Sequence, residues 1–109
     1  MEIKEDKTKI LQIIEASRKT GKIKKGINEV TKTIETGAAK FVVIADDTDP
    51  KEVIMHIPAL CDEKQIPFVR VPSRDELGNV AGLGVKTTGI SIIDFGEGEK
   101  LFQGIQKKE

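Results

Sequence analysis

The chain has 109 residues and 12.0 kDa, 38% of them apolar and 33% charged, and its eighteen basic and eighteen acidic side chains cancel. That length predicts one domain, residues 1–109, with one core, and a zero net charge supplies no global field toward nucleic acid or membrane, so a polyanion site must be local. One cysteine, Cys61, excludes an internal disulfide and a Cys-built zinc site and fits a reducing, cytoplasmic setting; no apolar run approaches the ~18 residues of a membrane span, and the charged start Met1–Asp6 lacks the apolar centre of a secretory signal.

Ile10, Leu11, Ile13 and Ile14 place an apolar stripe on a helix over Lys7–Lys19, ended by Gly21. A short basic stretch, Lys22–Lys25, follows. Gly26 opens a second helix with Ile27, Val30 and Ile34 on one face and Gly37 as its stop. Phe41–Ala45 is a continuous apolar run, the pattern of a strand buried on both faces. Asp49 and Pro50 read as the N-cap and first residue of a helix that buries Val53, Ile54, Ile57 and Leu60, with a kink or split near Ile57 imposed by Pro58. Ile66–Val71 reads as a strand. Ser73-Arg74-Asp75-Glu76 reads as a capping box opening a short helix to about Ala81. Gly82–Gly89 is a loop, Ile90–Ile93 the last strand, and Glu97–Lys107 a final amphipathic helix. Helix and strand alternate, so the class is α/β, a small sheet between helices.

Most candidate chemistry reduces to plain structure. Asp46 and Asp47 at a strand end could hold magnesium in a small phosphoacceptor or enzyme, but the next strand ends Val71-Pro72-Ser73 with neither a third carboxylate nor a lysine, and the last strand ends at Asp94 with no lysine beside it. A solvated helix N-terminus, with acids facing the macrodipole, is the favoured reading. His56 and Cys61 are the only soft metal ligands, too few for a tetrahedral site, and Cys61 fits a small core residue. Gly82-x-Gly84 does not join a strand to a helix as a dinucleotide loop does. With no Trp or Tyr and four Phe in buried patterns, stacking platforms for single strands are absent.

The remaining asymmetry is basic. Six Lys/Arg (Arg18, Lys19, Lys22, Lys24, Lys25, Lys32) and one acid, Glu29, lie between residues 18 and 32, which points to phosphate contact. Asn28, Glu29 and Lys32 share one side of a helix start. A helix N-terminus offers N–H groups to an anion. A carboxylate is repelled by phosphate unless it accepts from a guanine N–H, so Glu29 hints at base reading.

Lys24-Lys25-Gly26-Ile27-Asn28-Glu29-Val30-Thr31-Lys32 resembles the signature of the kink-turn-binding large-subunit ribosomal protein family, L-seven-Ae in archaea, which includes the related eukaryotic spliceosomal and box C/D RNA-binding protein. Phe41–Asp47, Asp49-Pro50 through Leu60-Cys61-Asp62-Glu63-Lys64, Ile66-Pro67-Phe68 and Val71–Gly78 with Ala81-Gly82 extend the likeness from about Lys22 to Ile93. The loop Gly84-Val85-Lys86-Thr87 resembles archaeal members. The resemblance implies a three-layer α/β/α sandwich around a four-stranded mixed sheet. It implies no enzyme and no cofactor, and a monomer that binds kink-turn and kink-loop RNA. It also implies a place in the large ribosomal subunit and as a core protein of box C/D and H/ACA guide ribonucleoproteins, with RNase P as a further setting and ribonucleoprotein proteins as partners. The alternative within the family is a ribosome-only paralogue of the L-thirty-e type.

By that resemblance Asn28, Glu29 and Lys32 face sheared G·A pairs. Gly26, Lys24 and Lys25 meet phosphate, and Arg74 lies near the RNA backbone. Leu83 and Val85 shield an extruded nucleotide near Asp49. Leu83 is expected to lie exposed in the free protein.

Overall fold

The structure is a computed structural model and describes residues 2–3, 5–82 and 84–106, the last without its side chain. Asp6 caps the first helix, α1 (Lys7–Thr20), its carboxylate accepting from the Thr8 N–H. The chain continues through β1 (Lys22–Lys25), α2 (Ile27–Glu35), β2 (Phe41–Ala45), α3 (His56–Lys64), β3 (Phe68–Val71), α4 (Arg74–Val80), β4 (Gly89–Asp94) and α5 (Glu99–Gln106), with 3-10 turns at Lys51–Val53 and Gly96–Gly98.

The four strands form one sheet in the order β1-β4-β2-β3. β2 and β3 are parallel, whereas β4 runs antiparallel to both β1 and β2. Strand alternation splits the apolar residues between two layers. Phe41, Val43, Ala45, Val69, Val71, Ile90 and Ile92 pack with Ile10, Ile13 and Ile14 of α1, Leu77 of α4, and Phe102 and Ile105 of α5. Val42, Ile44 and Phe68 pack on the other face with Val30 and Ile34 of α2 and Ile57 and Cys61 of α3. The mixed sheet between two helical layers is the α/β/α sandwich expected. All four Phe are buried. Three of them stack at the end where β2 begins: Phe102 lies 4.8 Å from Phe41 and 4.5 Å from Phe95 between ring centroids.

Several local expectations need correction. Lys22–Lys25, read as a basic stretch without structure, is a strand. Pro50 opens no α-helix: the 3-10 turn Lys51–Val53 follows it, and α3 starts only at His56. Pro58 therefore sits in the first turn of α3, where its missing N–H has no intrahelical partner to lose, and the helical stretch is split just before it, between Val53 and His56. Ser73 caps α4, accepting from Asp75 N at 3.2 Å and Glu76 N at 3.4 Å. The Glu76 side chain instead pairs with Lys7 Nζ at 3.0 Å, so the capping box is one-sided. The strand after Pro67 begins at Phe68, and the last helix begins at Glu99. Lys107 lies outside the described residues.

Gly78 lies inside α4, where glycine ordinarily costs about 1 kcal/mol against alanine. Its place is set by a segment further along the chain: a Cβ built there would stand 2.1 Å from the Val85 carbonyl oxygen. Gly78→Ala is expected to lower stability by about 1–3 kcal/mol despite its better helix propensity. Chemical denaturation measures it, and a rise in midpoint would contradict the close approach.

Burial pushes the Cys61 thiol up from 9.0 to about 11. The folded state thus prefers the protonated thiol. That preference stabilises fully below about pH 9 and is lost as the pH rises through 11. Cys61→Ala is expected to flatten the alkaline fall in melting temperature. In the wild type, iodoacetamide at neutral pH should label Cys61 only after denaturant is added.

Candidate nucleic-acid interface

β1, β2 and β3 point the same way and β4 the opposite way, so the ends of the first three and the start of the fourth lie along one edge. Four connections meet there: the start of α2, the turn after β2, the start of α4, and the loop before β4. Backbone hydrogen bonds sew them together. Gly26 N donates to Gly89 O at 3.0 Å, Ala45 N to Thr88 O at 3.0 Å, Asp46 N to Val71 O at 2.8 Å, and Thr87 N to Arg74 O at 3.3 Å. Every described residue of the expected site lies on or beside one of these connections.

Gly26 switches the chain from strand to helix in one residue. Its N–H closes the β1–β4 ladder, and its carbonyl accepts from Val30 N at 2.9 Å to begin α2. It does so at φ 92°, a conformation that L side chains rarely adopt. No side chain caps α2. Ile27, Val30 and Ile34 turn toward the core, and Asn28, Glu29 and Lys32 are exposed on the outer side. Lys32 Nζ stands 3.9 Å from Glu29 Oε1, a loose exposed pair. Thr31 Oγ1 lies 2.8 Å from Ile27 O and shares a 2.9 Å hydrogen bond with His56 Nε2. His56 thus ties α3 to α2. Sequence reasoning missed this bond, because nothing local links residues 31 and 56.

The basic cluster is divided. Lys24 pairs in register with Ser91, whose hydroxyl is bonded to Thr33 of α2, so it lies on the α2 face. Lys25 pairs with Ile90 and lies on the opposite face. Neither makes an ion pair among the described residues. Arg18 and Lys19 are occupied elsewhere: Arg18 Nε donates to Val80 O at 3.0 Å, and Lys19 pairs with Glu15 at 3.1 Å. The six-residue patch read from the sequence is therefore not one surface.

Asp46 and Asp47, in the turn after β2, each meet an arginine. Asp46 Oδ1 lies 3.5 Å from Arg70 Nη1, and Asp47 Oδ1 lies 3.3 Å from Arg74 Nε. No group of three metal-ligating side chains occurs among the described residues. Asp47 also accepts the Arg74 N–H at 3.0 Å, so it caps α4 rather than the helix directly following it. Asp49 is exposed and caps no helix, because Pro50 takes the position before the 3-10 turn. Val85 is 70% exposed. Leu83 lies outside the described residues.

No helix among the described residues is long and apolar enough to cross a membrane. The Giardia lamblia 15.5kD RNA binding protein shares this fold at a TM-score of 0.84 and 30% identity, over 97% of this chain and 90% of that chain. Residues 8–102 match the model of the ribosomal protein L7Ae/L30e/S12e/Gadd45 family, so the likeness takes in α1 and half of α5 as well as the Lys22–Ile93 segment. Sheet order, helical layers and sequence agree, and the chain belongs to the ribosomal protein L7Ae/L30e/S12e/Gadd45 family of RNA-binding ribosomal and ribonucleoprotein proteins.

Proposed function

We propose that this chain recognises kink-turn and kink-loop RNA through the exposed edge of the sheet. It would act in the large ribosomal subunit and as a core protein of box C/D and H/ACA guide ribonucleoproteins, where the bent RNA it fixes gives partner proteins a surface to join. The observation that carries the reading is the start of α2. Its N-terminus has no side-chain cap, and Asn28, Glu29 and Lys32 stand exposed beside it. Free N–H groups and Lys32 suit a phosphate, while Asn28 and Glu29 offer the donors and acceptors that read a base edge. Lys24, Lys25 and Gly26 flank that turn, and Val85 supplies an apolar surface from the loop before β4 for an unstacked nucleotide. Asp49 follows β2 and Arg74 opens α4, at the other two connections of the same edge. A gel shift with a kink-turn RNA against a plain duplex of equal length tests the reading.

Glu29→Gln removes a negative charge from a polyanion site. A passive surface role would leave affinity level or raise it. Acceptance from guanine N–H groups requires a loss of about 1–3 kcal/mol in kink-turn binding. Titration of the variant and the wild type side by side distinguishes the two.

Lys24, Lys25 and Lys32 should each contribute one counterion to the salt dependence. Replacing any one with Ala is expected to reduce the log–log salt slope by ~0.7–0.9. A slope unchanged in all three variants would remove them from the interface.

A further inference from the structure

We propose that Asp47 is a positioning residue for RNA binding, holding the Arg74 guanidinium by its inner nitrogen so that its outer nitrogens face a phosphate; this rests on the RNA-binding reading above. The α4 N-terminus itself is not open to an anion. Asp47 takes the Arg74 N–H, and Ser73 takes those of Asp75 and Glu76. A phosphate at this corner must be met by the Arg74 side chain.

The backbone that carries that side chain is fixed. The Arg74 N–H is bound to Asp47, and its carbonyl accepts from Thr87 N at 3.3 Å, so the main chain is clamped from both sides. Nε is buried, 3.3 Å from Asp47 Oδ1 and off the line of a good hydrogen bond. The side chain as a whole is 28% exposed, so its open surface belongs to other atoms. A guanidinium has five donors in a rigid fork, so an ion pair on the Nε side leaves both Nη groups for a phosphate. Asp47 therefore serves RNA binding although its own charge opposes it.

The sign of its effect then depends on the residue at position 74. A lysine has one nitrogen, which cannot stay with Asp47 and still reach a phosphate as a fork does. With arginine present, Asp47 helps; with lysine present, it competes.

The test is kink-turn binding at two or more salt concentrations for the wild type, Asp47→Asn, Arg74→Ala, Arg74→Lys and the two double variants. Asn keeps an oxygen acceptor for the Arg74 N–H and removes the charge. Asp47→Asn alone should weaken binding about threefold to tenfold, a fraction of a charge-assisted hydrogen bond, and lower the salt slope toward that of Arg74→Ala. In the Arg74→Ala background it should cause no further loss, and in the Arg74→Lys background it should tighten binding. Binding that is level or tighter for Asp47→Asn alone overturns the proposal, as does an equal weakening in the Arg74→Ala background. A wild type that does not prefer the kink-turn over the duplex overturns the RNA reading and this inference together. If wild-type preference stands while the sign pattern fails, only the inference falls. Melting curves check each fold, and Asp47→Ser, a shorter cap, replaces Asp47→Asn if that variant does not fold.

Discussion

The hydrogen bond between Gly26 and Gly89 is the joint on which the functional end of the molecule depends. It closes the β1–β4 ladder at the residue where the chain turns into α2, so helix direction is fixed to the sheet rather than to a loop. A side chain at that position would strain the backbone and rotate the first turn of α2. In the proposed reading, base recognition depends on the placement of a few donors and acceptors, and Asn28, Glu29 and Lys32 inherit their places from a strand ladder. His56, bonded to Thr31, supports the same helix from α3.

Much of this was legible in the sequence for physical reasons. Phe41–Ala45 could only be a strand buried on both faces. The helical stripes of α1 and α2 named their core residues, and Gly37, at positive φ, ended α2 as expected. Lys22–Lys25 was not legible, because one isoleucine among three lysines carries no period; it is a strand only because β4 lies beside it. The start of α3 was misplaced because an Asp-Pro pair signals a helix N-terminus locally, while here it precedes a 3-10 turn. The reason for Gly78 inside α4 was not legible either, because it lies in the close approach of Val85. The basic cluster was overcounted because sequence proximity of Arg18 and Lys32 says nothing about which face each side chain occupies.

The charges at the sheet edge form a consistent scheme. Three aspartates occur within four residues after β2, at the end expected to meet a polyanion. Arg70 and Arg74 offset two of them, while Lys24 and Lys25 have no acidic partner among the described residues. Positive charge is thereby left at the start of α2 and balanced near β3. A protein of zero net charge can in this way present a directional field without binding every nucleic acid it meets.

β1 is the outer strand of the sheet, only four residues long, and three of them are lysines. Exposed edges of this kind pair readily with other chains unless charge keeps them apart. The lysines of β1 thus guard this edge against pairing with another copy of the chain. Loss of positive charge here, by substitution or by acetylation, would leave the edge unguarded.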